Sequence, residues 1–251
     1  MLITSRENET IKMIKKMKNK KYRNNCFIIE GTKMLEEAID ESANIQLIVI
    51  CENTKIDLDI SEYKTIEVTK KIFDELTDVV TPQGVLAIIK IDNTESEINL
   101  SQDYILALDG IQDPGNLGTI IRTADSANLK QIIVSKNTVD AYSSKVIRST
   151  MGGIFRVKII EVDDLNETLK SLQGNGFEIV TTSLATENSI YDVNYSKKVV
   201  IIGNEANGVS KEIQDISNIK VKIPMLGKTE SLNASVAAGI MIYEYVRQKR
   251  V

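Results

Sequence analysis

The chain has 251 residues, 42% of them apolar and 26% charged, with a net charge of −4 and no histidine. That length allows two domains with separate cores, and the balance is that of a soluble globular protein. No apolar run approaches the roughly 20 residues of a membrane span. The opening MLITSRENET lacks the basic-then-apolar layout of a secretory signal, and two cysteines, Cys26 and Cys51, read as reduced thiols, so a cytoplasmic protein is expected.

First in chain order is a basic helical segment. Residues 1–25 hold eight Lys or Arg against Glu7 and Glu9, a charge of +6 that leaves −10 on the remainder. One cationic end on an otherwise acidic chain suggests contact with a polyanion. Lys12, Lys15, Lys16, Lys18 and Arg23 are the candidate RNA-binding residues, and the alternative is a solvated helix face. CFIIEG (26–31) then reads as a short buried strand, followed by a helix in which Met34, Leu35, Ala38 and Ile39 face inward. IQLIVIC (45–51) and YKTIEVT (63–69) are further strands, KKIFDELTD (70–78) a helix, and PQGVLAIIKI (82–91) runs into a last strand. This α/β unit takes in residues 1–95. The polar stretch 92–103 has little apolar periodicity and contains the linker, placed at 96–103.

A second alternating series fills residues 104–251. YILALDG, QIIVSK, RVKIIEV, FEIVTTSL, KKVVIIGN and IKVKIPM are expected strands, with helices between most of them. Near-continuous Val/Ile runs separated by helices predict a parallel sheet covered on both faces. Ligands of such sheets bind beyond the carboxyl ends of the strands, and the unusual residues gather there.

Three junctions stand out. In DGIQDPGNLGTIIRTADSA (109–127), Pro114 and Gly115 set a turn before a helix whose buried stripe holds Ile120, Ile121, Ala124 and Ala127. Asn116 occupies an N-cap-like position, although its side chain could equally face a ligand. Arg122 should lean back over Gly118 and, above a helix N-terminus, would make a phosphate-sized site. Pairing with Asp125 or solvent is the other reading of Arg122. In VVIIGNEANGVSKEI (199–213), Gly203 permits close approach of a ligand to the backbone and Gly208 keeps the loop tight. Glu205 there is a helix-cap acid or a site residue, and spacing does not decide. In IPMLGKTESLNASVAAGIMIYEYVRQ (223–248), a helix expected to open at Ser231 carries Asn233, Ala234, Ser235, Ala237, Ala238 and Gly239, small residues suited to very close packing. GKT (227–229) is no phosphate loop, since Lys222 stands where that motif needs its first glycine, and no G-x-G-x-x-G follows a strand.

Together these stretches resemble the SpoU (TrmH-like) family of RNA 2'-O-ribose methyltransferases, over roughly 104–248. DPGNLGTIIRTA is similar to its first motif, IIGNEANGVS to its second and IPMLGKTESLNASVAAGI to its third. The layout of residues 1–91 is similar to the L30e-like substrate domain that often precedes this catalytic domain. The resemblance implies an α/β domain with a deep trefoil knot, a homodimer, S-adenosylmethionine as methyl donor, and an RNA substrate, 23S ribosomal RNA before transfer RNA. It implies no metal and no membrane. A non-catalytic RNA-binding or assembly protein that kept the fold is the alternative. Carried over by motif, Arg122 is the catalytic arginine, with Asn116, Glu205, Ser231 and Asn233 around it. Leu184 in TTSLAT, Gly203, Ile223, Met225 and Leu232 correspond to the cofactor loops. With no histidine and both cysteines in the N-terminal part, the inventory favours oxygen over a carbon acceptor that would need a thiol nucleophile.

Overall fold

The computed structural model describes residues 2–91, 97–183 and 185–249. The first stretch runs β1 (Leu2–Ile3), α1 (Glu9–Met17), β2 (Cys26–Glu30), α2 (Thr32–Asp40), β3 (Ile45–Cys51), β4 (Thr65–Val68), α3 (Lys70–Leu76) and β5 (Val85–Lys90). The second begins with β6 (Tyr104–Asp109), α4 (Pro114–Ser126), β7 (Gln131–Ser135), α5 (Ser144–Thr150) and β8 (Lys158–Val162). It continues with α6 (Leu165–Gly174), β9 (Glu178–Thr182), β10 (Lys198–Gly203), α7 (Lys211–Ile216), β11 (Ile219–Val221) and α8 (Ala234–Lys249). Every strand expected from sequence is present. β1 was not expected.

Two units emerge: residues 1–95 with 142–155, and residues 96–141 with 156–251. In the first, the five-stranded sheet has the order β1-β4-β3-β5-β2, with β5 antiparallel to both neighbours and the other pairings parallel. The Asn8 side chain caps α1 by accepting from the Thr10 amide at 2.9 Å. Ile11, Ile14 and Met17 then recur at helical spacing, buried in a core with Phe73, Leu76 and Val49, which leaves the lysines of α1 outward. The segment 142–155 packs here through Tyr142 and Phe155, whose ring centroids lie 5.1 and 6.2 Å from that of Phe27.

The second unit is a six-stranded, wholly parallel sheet of order β11-β9-β10-β6-β7-β8. Every residue of β6 and β7 is buried, which explains Val/Ile runs without alternation. The chain winds outward from β6 to β8, crosses to β9, and returns to lay β10 beside β6. Winding therefore reverses between β6 and β10, where Asp109 and Gly203 are paired at the strand ends. Open parallel sheets bind ligands at that point. Among the described residues, no helix is long and apolar enough to cross a membrane.

Candidate active site

The loops leaving β6 and β10 meet at the reversal. After β6, the Asp113 side chain accepts from the Asn116 amide at 2.9 Å, so Asp113 is the N-cap of α4 and Pro114 its first residue. The expected cap, Asn116, lies inside the first turn, and its side chain is free to face the neighbouring loop. It does so: Asn116 Nδ2 donates to Glu205 Oε1 at 2.9 Å. Glu205 also accepts from the amides of Gln112 and Asp113, both at 3.1 Å. Burial would raise its carboxyl, but the Asn116 bond and those backbone amides outweigh it, and the group sits below the ordinary glutamate range. Glu205 thus serves a helix end, but that of α4, reached from the loop after the neighbouring strand β10.

This corrects the expected anion site. The positive end of α4 is taken by the Asp113 and Glu205 carboxylates, and Arg122 stands six residues past Asn116, about 9 Å along the axis. Arg122 is exposed and its guanidinium makes no hydrogen bond or ion pair among the described residues. Its expected alternative partner, Asp125, is held instead by Arg156, with Nε 3.0 Å from both carboxylate oxygens. Gly118, expected to clear the path of Arg122, is itself buried.

From Asn116 the network continues to the third motif. Asn233 Nδ2 donates to Asn116 Oδ1 at 2.9 Å, and Asn233 Oδ1 accepts from the Ser235 and Val236 amides at 2.9 and 3.3 Å. Both amide orientations are fixed from the ends, since a carboxylate only accepts and helix amides only donate. The first helical residue is accordingly Ala234, not Ser231, because Asn233 does the capping. The small face of α8 meets α4 of the same chain: a methyl on Gly239 would sit 3.8 Å from Thr123 Cγ2. Tyr243 Oη and Ser126 Oγ are 3.1 Å apart on the same seam.

Beside this network lies a cavity of about 560 Å³, within the roughly 300–1,000 Å³ usual for small-molecule sites. Gly203, Ile223, Met225 and Leu232 line it, as do Glu205 and Ser231. Leu184 lies outside the described residues. Gly203 is required for a different reason than expected: a methyl there would strike the backbone of Gly208 and Val209, so the returning loop, not a ligand, makes the close approach. That loop closes by reciprocal Asn204–Gly208 amide bonds of 2.9 Å, with Gly208 at φ +67°.

Sequence reasoning missed three residues here. Asn204 Nδ2 donates to the Gly110 carbonyl at 2.8 Å, and buried Asp109 accepts from the Ser210 amide at 2.7 Å, so both tie the two loops together. Glu230 lines the cavity. An acid ending a fully apolar strand was the available signal for Asp109.

The basic segment is more neutralised than its composition implies. Lys12 pairs with Glu7 at 2.8 Å, Lys15 with Glu75 at 2.5 Å and Lys18 with Asp78 at 2.7 Å. Arg23 Nε donates to the Met17 carbonyl at 3.0 Å. Lys16 is exposed and its ammonium has no partner among the described residues. Those residues also include no cluster of three or more His, Cys, Asp or Glu placed to hold a metal.

Comparison with known proteins agrees with this geometry. Residues 103–243 match the SpoU rRNA Methylase family and residues 8–87 an MRM3-like substrate binding domain. The chain is 31% identical over 245 residues to the 23S rRNA (guanosine(2553)-2'-O)-methyltransferase RlmP of Bacillus subtilis (strain 168), covering 96% of this chain and 97% of the relative. It superposes on the AdoMet-bound rRNA methyltransferase of Sinorhizobium meliloti with a TM-score of 0.87 at 30% identity, over 98% of this chain and 97% of that one. An RNA 2'-O ribose methyltransferase structure gives a TM-score of 0.83 at 28% identity, with both chains wholly covered. With its three motifs joined by the Glu205–Asn116–Asn233 network, the chain belongs to the SpoU rRNA methylase family.

Proposed function

We propose that the protein transfers a methyl group from S-adenosylmethionine to a ribose 2'-hydroxyl of ribosomal RNA, in the cytoplasm. The observation that carries this is the meeting of Glu205, Asn116 and Asn233, from three separate motifs, beside a cavity lined by the matching cofactor positions. Apolar Ile223, Met225 and Leu232 would sandwich the adenine, and the cofactor, when bound, supplies an activated methyl on a sulfonium. Direct displacement by the ribose oxygen needs no covalent intermediate on the enzyme. Burial pushes the thiols of Cys26 and Cys51 up, which keeps them protonated, and both belong to the first unit. A thiol-dependent carbon methylation therefore has no nucleophile at the cavity.

Arg122 grips a phosphate beside the target ribose in this reading. An unpaired, exposed guanidinium suits that role, and its planar fork matches two phosphate oxygens. Arg122 does not line the cavity of its own chain. It shares an exposed stripe with Thr119 and Ser126 on α4, beside Val236 and Tyr243 of α8, each 49% exposed. A homodimer through this α4–α8 face would cover those apolar groups and present Arg122 to the partner's cavity. The family's trefoil knot would form in the backbone leading to α8. The first unit, matching a substrate binding domain, would hold the RNA. Mapping 2'-O-methyl positions in ribosomal RNA from cells with and without the protein tests the reading. One lost position is expected, whereas loss confined to transfer RNA, or to no RNA, would overturn it.

A further inference from the structure

Methylating a hydroxyl requires a group to take its proton, and the residues identified so far are unsuited to it. The chain has no histidine, and a guanidinium is never deprotonated in a protein. Glu205 spends its carboxylate on three N–H donors that hold the entrance to α4. Lys222 lines the cavity as a cation bound to Glu187 at 3.0 Å. Asp109 is buried and bound to the Ser210 amide. Glu205 and Glu230 are the carboxylates among the described lining residues, and Glu230 makes no hydrogen bond or ion pair among the described residues. It directly precedes Ser231, so an uncommitted acceptor stands where the third motif enters the cavity.

We propose that Glu230 is the general base that takes the ribose 2'-hydroxyl proton. The inference rests on the methyl-transfer reading above. As the 2'-oxygen forms its bond to the methyl carbon, the carbon–sulfur bond breaks and its electron pair returns to sulfur. The hydroxyl proton passes to a Glu230 carboxylate oxygen, and the resulting acid later gives it to water. The sulfonium charge and the carboxylate charge vanish together, so the transfer balances without another reactant. Glu205 is then a strut, and Arg122 a phosphate clamp.

Full-length Glu230→Gln and Glu230→Asp proteins test this by two separate readouts. Calorimetric titration with S-adenosylmethionine reports the cofactor site, and single-turnover transfer to ribosomal RNA at saturating cofactor reports the chemistry. Glu230→Gln is expected to bind cofactor as the wild type does while its transfer rate falls on the order of 10²-fold, the lower end for general-base catalysis. Glu230→Asp, retaining a carboxylate, should regain part of that loss. A glutamine variant within about threefold of the wild-type rate would overturn the proposal, being far short of that contribution. So would a defect wholly removed by raising cofactor concentration, which would make Glu230 a ligand of the cofactor's cationic groups instead. A wild-type protein that methylates no ribose would sink the underlying reading itself.

Discussion

Glu205→Gln isolates what the carboxylate does for the fold. The wild-type side chain takes N–H donors from Asn116, Gln112 and Asp113 at 2.9, 3.1 and 3.1 Å. A carboxamide has one oxygen to accept with, so its NH₂ must confront at least one of those donors. Charge-assisted bonds are worth about 1.5–3 kcal/mol, and a carboxylate at a helix N-terminus about 0.3–1 kcal/mol. Glu205 is exposed, and solvent screening brings the expected loss down to about 1–2 kcal/mol. For a chain of this size that corresponds to roughly 2–8 °C in the melting transition of the second unit. The pH dependence has a definite sign. The folded group sits below the ordinary glutamate range, so its stabilisation is complete above roughly pH 4.3 and disappears as pH falls through the lower folded value. Calorimetric melts of both proteins from neutral pH into the acid should show a constant gap that closes only below that point. Equal melts at neutral pH, or a gap indifferent to acid, would refute the strut assignment.

Arg122→Ala should abolish methyl transfer with a stability change of no more than about 0.5 kcal/mol, since an exposed, unpaired side chain is removed. Arg122→Lys should rescue little, and near-wild-type turnover in it would count against the phosphate clamp. Lys16→Gln should lower the log–log salt slope of RNA binding by about 0.7–0.9, while the same change at Lys12, Lys15 or Lys18 should lower it less, each already neutralising a carboxylate. Equal slopes for all four would show that those ion pairs yield to RNA. Tyr243→Asp should convert a dimer to monomer in light scattering, and a wild-type protein already monomeric at micromolar concentration would remove the α4–α8 interface.

Much of the fold was legible because strands buried on both faces read as near-continuous apolar runs, as β6, β7 and β10 do, and the other strands of the second unit fall inside the expected segments. Leu2–Ile3 was not, because two residues carry no periodicity and the strand exists only through its pairing with Glu67 and Val68. Asp-Pro-Gly-Asn offers two cap residues, and Pro114 decides for Asp113 by taking the first helical position. The association of residues 142–155 with the first unit has no local signal either, since Phe27 lies over a hundred residues from Tyr142. At the site, residue types were readable and their partners were not. Glu205 stood open between two roles because the amides it serves lie 92 and 93 residues away in sequence.

Partnership separates the polar residues of the site into two kinds. Asp109, Asn116, Asn204, Glu205 and Asn233 have their hydrogen bonds filled by backbone amides, carbonyls or one another. They close helix ends and loops, and for the buried pair Asp109 and Asn116 an unmet polar group would cost about 1–3 kcal/mol. Under the proposed function, holding α4, α8 and the loop after β10 in one arrangement before any ligand arrives would be their contribution to catalysis. Arg122 and Glu230 make no such bonds among the described residues, and Ser231 lines the cavity beside Glu230. A group already bonded must break a contact to meet a substrate, whereas a free one meets it without that loss. Motif membership alone therefore does not mark a reacting residue in this site. Under the proposed function, the reacting residues are the two that the fold leaves unpaired, Arg122 and Glu230.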